Sequence, residues 1–413
     1  MSASVERIQR DIERIARFSS SGRGTGRLTF TPEYWSAVDY VAGQLAEVGY
    51  ERRTTIHGNS RFRMPGAGWD LPAVTVGSHL DAVSDGGRFD GVAGVVAGVE
   101  IARLLAESGH RLARPYEVTV FAEEEGARFG CVLGGSRAMT GRLTLEDLAA
   151  AKDAHGVSYL EALGSRGQEA ASSTRVVLGP GDVAAYFELH IEQSLVLESA
   201  NVPIGIVQAI TGIRQYRVVY TGTSNHAGAT PMHLRADSLA AAAEAILAVE
   251  HQSATLTTGA PRGTVGMIAN GPNVANVIPG RTEFSIDLRD SDAGVLARIS
   301  DSVAARMRQI AEERKVLADV RMTAESNPVA LSPRLRRALV EVAGRRGIEY
   351  LEMPSGAAHD AQEIARIADA AMVFVPSVGG RSHCPEEYTP YESIAQGADL
   401  VLATILEEYD AGS

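Results

Sequence analysis

A chain of 413 residues exceeds what one hydrophobic core usually supports, so two domains are expected. Hydrophobic residues at 45% and charged residues at 22% give an ordinary globular balance, and a net charge of −12 argues against nucleic acid or an anionic membrane as partner. Two distant cysteines, Cys131 and Cys384, exclude a disulfide framework and point to a reducing cytoplasm.

Residues 1–17 carry Val5, Ile8, Ile12 and Ile15 at helical spacing among charges, without the uninterrupted apolar stretch of a signal peptide. No later stretch has the length of a membrane span. Short apolar strands over 73–76, 117–121 and 183–189, with a helix over 91–105 between the first two, predict an α/β fold with a largely parallel sheet. The pattern changes near Thr211. It then reads as a strand over 215–220, a helix over 236–249, strands over 264–269 and 282–289, a helix over 295–313 and a strand over 319–323. That βαββαβ order predicts a small α+β sandwich with both helices on one face of an antiparallel sheet. Helix–strand patterning resumes after Glu325-Ser326-Asn327-Pro328, with a strand over 371–375. The expected organisation is a catalytic domain in two segments, 1–210 and 326–413, with a domain over 211–325 inserted between them. Basic residues are almost all arginine, Lys152 and Lys315 being the exceptions, so a substrate anion is expected to meet a planar guanidinium fork.

Chemistry-bearing residues gather where strands end, the edge at which α/β sheets place their sites. His79 closes the first strand, with Asp81 two residues on, placed to orient its ring. Asp90 lies among glycines in Gly86-Gly87-Arg88-Phe89-Asp90-Gly91, as a metal ligand or as a cap on the following helix. The run Glu123-Glu124-Glu125 is either a solvated charge run or a divided pair, one acid binding metal and one acting as general base. His190 ends the 183–189 strand, and His383 follows the 371–375 strand and a glycine loop. A lone histidine is more often structural than a ligand. Three histidines with two carboxylates at four strand ends form a mixed N/O set suited to Zn, Mn, Co or Ni. Five protein ligands would leave no open position on one ion, whereas two ions sharing a bridging aspartate and a water accommodate them.

These residues sit in GSHLDAVSDGGRFDG, EEEGARFG, ELHIEQ, SNHAGATPM, NVIPG with DLRD, SGAAHDA and SHCPEEYT. With these motifs nearly the whole chain resembles the dinuclear-metal amidohydrolases acting on N-carbamoyl-amino acids, allantoate and related ureido acids, a branch of the aminoacylase/carboxypeptidase-type metallopeptidase clan. The resemblance implies that His79 and His190 hold one metal ion, that Glu125 and His383 hold the other, and that Asp90 bridges them. Glu124 would be the general base. The closeness of His79 to Asp90, and a histidine at 190 where peptidases of the clan typically use a carboxylate, place the chain in this branch. By the same resemblance the inserted domain is a dimerisation and lid domain. His226 would reach in from the neighbouring subunit to steady the oxyanion, and Asn276 and Arg289 would bind the substrate's α-carboxylate. Gln193 and Gln215 would lie near the ureido group or that carboxylate. Gly356 and His359 would belong to a substrate loop in which Ala358 replaces the family's usual glycine. By residue type alone, Arg289 equally suits a surface ion pair and His226 a loop-stabilising role. The implied activity is hydrolysis of an N-carbamoyl-L-amino acid to ammonia, carbon dioxide and the amino acid. Allantoate or ureidoglycolate-type acids are the first alternative, and N-acyl amino acids or dipeptides the next. A non-catalytic binding protein on this scaffold would be expected to lack a ligand or Glu124, and all are present.

Overall fold

The computed structural model describes residues 1–20, 22–166, 177–255 and 261–411. They form two compact units. The larger comprises Met1–Gln208, Leu331–Met353 and Ala358–Ser413, and the smaller Ala209–Ala330 and Pro354–Ala357. The short segment 354–357 joins the smaller unit because the Ser355 carbonyl accepts the Thr211 N–H at 3.0 Å and the Gly356 carbonyl accepts from Arg289 at 2.9 Å. Among the described residues no helix is long and apolar enough to cross a membrane.

The larger unit is built on a mixed sheet. Its four central strands run parallel, in the order Ala370–Val375, Val183–Ile191, Ala73–His79, Tyr116–Phe121. Antiparallel strands flank them: Ile204–Ile210 on one side, Ser60–Arg63 and then Glu51–Thr54 on the other. Parallel strands share one carboxyl edge, and the register (His79 opposite Phe121, His190 opposite Phe374) brings their ends together there. The helix Val92–Ser108 is buried on all sides as far as Leu105, which explains its nearly unbroken apolar sequence. It packs on the strand Ala73–His79 and against the helices Val5–Ala16 and Tyr391–Tyr409. The first of those helices buries Ile8, Ile12 and Ile15, with Ser4 capping it through the Arg7 N–H.

One buried charge cluster stiffens the sheet. Glu117 accepts from Arg61 Nε and Nη2 at 2.6 and 3.0 Å, and from Arg63 Nε at 2.9 Å, all three residues being buried on neighbouring strands. Burial disfavours the carboxylate, but the charges and hydrogen bonds of the two arginines outweigh it and hold Glu117 below its ordinary value of 4.5. Removing the carboxylate strands two buried guanidiniums, so Glu117→Leu is expected to cost about 3–5 kcal/mol at pH 7 in denaturant unfolding. Because the folded pKa is depressed, this contribution is complete above about pH 4.5 and is lost as pH falls through the folded value. The difference in melting temperature between Glu117→Leu and the natural protein should therefore shrink on acidification; a constant difference would refute the account.

In the smaller unit, the strands Arg262–Thr264, Arg281–Asp290, Gly212–Thr221 and Leu317–Ser326 follow one another in an antiparallel sheet. Tyr216, Val218, Tyr220, Phe284, Ile286 and Leu288 form a core with residues of the helices Ser238–Thr255 and Ala293–Arg314. Strand alternation turns Gln215, Arg217, Asp287 and Arg289 to the other face. The single strand expected over 264–269 is two, Arg262–Thr264 and Ile268–Gly271. Thr264 pairs with Asp287 and Ile268 with Phe284, so this side carries one residue more than its partner and bulges around Gly266.

Candidate active site

Five side chains converge at the carboxyl edge of the larger unit's sheet. His79, Asp90 and His190 form one potential ligand grouping and Asp90, Glu125 and His383 another, the donor atoms within each lying within 4.8 Å of one another. Asp90 belongs to both. Its Oδ1 stands 3.6 Å from His79 Nε2 and 3.2 Å from His190 Nε2, and its Oδ2 3.1 Å from His383 Nε2. Glu125 Oε2 is 3.4 Å from the same His383 nitrogen. Glu124 Oε2 lies 3.6 Å from His79 Nε2, and Glu124 is buried.

Local sequence produces this arrangement. Gly91 has φ +65°, and a Cβ there would come within 2.5 Å of the His79 ring, so only glycine lets the Asp90 loop close over the imidazole. In the acidic run, Glu123 turns away. With φ +56° it accepts the Arg128 and Phe129 N–H groups at 3.1 and 2.6 Å, which leaves Glu124 and Glu125 to the site.

The chemistry of the donor set fits cations. His79 Nδ1 meets the Asp81 carbonyl at 3.0 Å and His190 Nδ1 the Ile191 carbonyl at 2.9 Å. A carbonyl can only accept, so each Nδ1 carries a proton, and Nε2 is the atom that each ring, once neutral, would offer a cation. Each Nε2 faces the Asp90 carboxylate, and among the described residues His190 Nε2 has no hydrogen-bond partner. Further carboxyl groups crowd the same space. Glu124 is pushed well above the usual range by burial, and Glu125 up to about 7 by burial and then by the charge of Asp90. A divalent ion in each grouping would bind the ring nitrogens and offset the crowded negative charge.

Three of the expected residues touch the ligand set itself. The Asp81 main-chain carbonyl, not its carboxylate, holds the His79 ring; Oδ1 is 3.9 Å from Nδ1, while Oδ2 accepts the Glu125 N–H at 3.1 Å. Gln193 Nε2 donates to Asp90 Oδ2 at 2.7 Å and to Ser382 Oγ at 3.2 Å, so its side chain holds the carboxylate common to both groupings. His359 is buried, with its ring centroid 4.5 Å from that of His190, and forms a third grouping with Glu188 and His190.

Two supporting carboxylates escape the sequence reading. Glu387 Oε1 accepts the Phe89 and Asp90 N–H groups at 2.8 and 3.1 Å, and its Oε2 accepts the Ser382 hydroxyl at 2.8 Å. Glu188 accepts from Ser78, Tyr186 and the Ala361 N–H at 2.9, 3.1 and 3.0 Å. The signal for Glu188 is its spacing of two from His190, which puts both on one face of a strand; Glu387 has no comparable local cue.

The remaining expected residues lie in the smaller unit. His226 is exposed, and its Nδ1 accepts the Gly228 and Ala229 N–H groups, both at 3.1 Å. That fixes the tautomer with the proton on Nε2, a donor facing outward. The segment Asn225–His226 pairs with Val277–Ile278, and the Asn276 carbonyl accepts the Ala227 N–H at 2.9 Å, so His226 and Asn276 are neighbours. Gln215 and Arg289 both contact Asp287 on the helix-free sheet face, and Arg289 also reaches Gly356.

Known proteins share this chain's organisation throughout. Residues 75–407 match the model of peptidase family M20/M25/M40. An N-carbamoyl-L-amino-acid amidohydrolase of Paenarthrobacter aurescens is 38% identical over 97% of this chain and 97% of its own. An allantoate amidohydrolase of Bacillus subtilis (strain 168) is 37% identical over 94% and 93%. A crystal structure of a hydantoinase/carbamoylase family amidase from Burkholderia multivorans superposes with a TM-score of 0.93 at 33% identity, covering 98% of each chain.

Proposed function

We infer the reaction from one premise: the chain belongs to peptidase family M20/M25/M40 and is a hydrolase of C–N amide bonds. The proposed substrate is an N-carbamoyl-L-amino acid. One water cleaves its carbamoyl group to ammonia and carbon dioxide and frees the amino acid. The observation that carries this reading is the pair of ligand groupings sharing Asp90, with the buried Glu124 carboxylate beside His79. Two divalent ions (Zn, Mn, Co or Ni), one held by His79 and His190 and one by Glu125 and His383 with Asp90 common to both, would lower the pKa of the attacking water and polarise the scissile carbonyl.

The chain's own groups do the rest. Glu124 takes a proton from the attacking water and delivers it to the leaving nitrogen, a task its raised pKa suits. His226 of the partner subunit donates its Nε2–H to the oxyanion. Arg289, with Asn276, receives the α-carboxylate, while Gln215 and the Gly356 loop lie beside it on the same unit. Gln193, His359 and Asp81 act through the ligands they touch. A homodimer formed through the smaller unit is part of the proposal, supported by its exposed Met232, Leu234, Leu247, Met267 and Leu317. The allantoate amidohydrolase relative favours a second reading in which a ureide acid is the substrate.

The test is ammonia release from a panel of N-carbamoyl amino acids, allantoate and ureidoglycolate with Mn, Co or Zn added. Fastest turnover is expected on an N-carbamoyl-L-amino acid. Preference for allantoate or ureidoglycolate would move the assignment to the second reading. Hydrolysis confined to dipeptides or N-acyl amino acids would overturn both.

A further inference from the structure

On the reading that Arg289 receives the substrate's carboxylate, we propose that Asp287 is the positioning residue that determines which edge of the guanidinium meets it. Gln215 and Asp287 are cross-strand partners, and Arg289 follows two residues on, so all three share the sheet face away from the helices. Asp287 Oδ1 accepts from Arg289 Nε at 2.8 Å and its Oδ2 from Nη2 at 3.3 Å. The same Oδ2 accepts from Gln215 Nε2 at 2.8 Å. From a third chain segment, the Gly356 carbonyl accepts from Arg289 Nη1 at 2.9 Å.

A donor count gives the consequence. Arginine offers five N–H groups, and among the described residues these bonds use three, leaving one on each terminal nitrogen. A carboxylate binds such a pair in bidentate fashion. The Asp287 and Gly356 contacts fix the plane of the guanidinium, so substrate meets a fork already ordered. Burial opposes ionisation of Asp287, but hydrogen bonds from Arg289 and Gln215 and the charge of Arg289 outweigh it, so both its oxygens accept at neutral pH. Because an ionised carboxylate can only accept, Gln215 turns its NH2 toward Asp287 and presents its Oε1 beyond, an acceptor suited to a ureido N–H.

The simpler alternative is a surface ion pair with no bearing on substrate. The two part in steady-state kinetics, because a carboxylate contact remote from the scissile bond contributes equally to ground and transition states and is read in KM. Asp287→Ala is expected to raise KM for an N-carbamoyl amino acid about tenfold with kcat within about twofold, and the isosteric Asp287→Asn to fall between. In an Arg289→Ala background, Asp287→Ala should leave KM unchanged. An equal rise in both backgrounds, or no rise while Arg289→Ala raises KM, would overturn the positioning role. A lowered KM would also overturn it, since Asp287 would then be competing with substrate for the guanidinium. If Arg289→Ala itself leaves KM unchanged, the carboxylate reading fails and the inference with it. Melting temperatures check that each variant folds, and Asp287→Asn carries the test should Asp287→Ala not fold.

Discussion

Glu124→Gln should lower kcat by about 10²–10⁴-fold while leaving both ligand groupings intact, because glutamine keeps the shape of the side chain and loses the ability to accept a proton. Glu124 belongs to neither grouping, and its Oε2 is 3.6 Å from His79 Nε2, close to the site without being required to complete it. Burial, reinforced by the charges of Asp360, Glu125 and Asp81, makes a fixed charge unfavourable there, while His79 opposes the shift. A neutral isostere relieves that crowding, so the melting temperature of Glu124→Gln should equal or exceed that of the natural protein. KM should change little, since the substrate contacts proposed above come from other residues. The measurements are turnover and metal content on the same preparation. Near-normal turnover at full metal content would remove Glu124 from the role of general base, whereas lost turnover with lost metal would make it a ligand.

Which features the sequence could disclose follows from their range. A strand ending in histidine, an acidic run after a strand and a glycine-flanked aspartate are local patterns, and parallel strands carry such ends to one edge, so His79, Asp90, Glu125, His190 and His383 could be selected before any contact was known. Contacts set by three-dimensional closure were not legible. Glu387 holds the Phe89 and Asp90 N–H groups from nearly 300 positions away, and nothing in SHCPEEYT says that its glutamate faces inward. Asp81 stands at the right spacing to orient His79, but spacing cannot choose between its carbonyl and its carboxylate, and the backbone turn chose the carbonyl. Likewise the resemblance placed Gln193 near the ureido group or the carboxylate, and its hydrogen bond to Asp90 had no cue in the local sequence. In the smaller unit the helix and strand periods gave the order of elements, and the bulge near Gly266 was hidden because one extra residue leaves composition unchanged.

Asp90 is where the remaining large effect is expected. Because its Oδ1 faces His79 and His190 and its Oδ2 faces His383, one carboxylate closes both groupings. Asparagine preserves the volume but offers one acceptor oxygen, and its NH2 must point at the histidine lone pairs on one side or the other. Asp90→Asn should therefore weaken metal binding in both groupings, whereas Glu125→Gln should weaken only the grouping with His383, and His190→Asn only the grouping with His79. Loss of an outer-shell partner alone typically costs 10–100-fold in metal affinity, so loss of a shared ligand should cost at least about a hundredfold. Titration of Zn or Mn into chelator-stripped protein would read this directly, with thermal melting as a second readout because ions that bind only the folded chain raise its stability. The natural protein should show two binding events and a melting temperature that rises with each. Asp90→Asn should lose both at concentrations that saturate the natural protein, and ammonia release should fall with them. A variant that keeps one tight ion would show that Asp90 serves a single metal, and the second grouping would then need another bridging group.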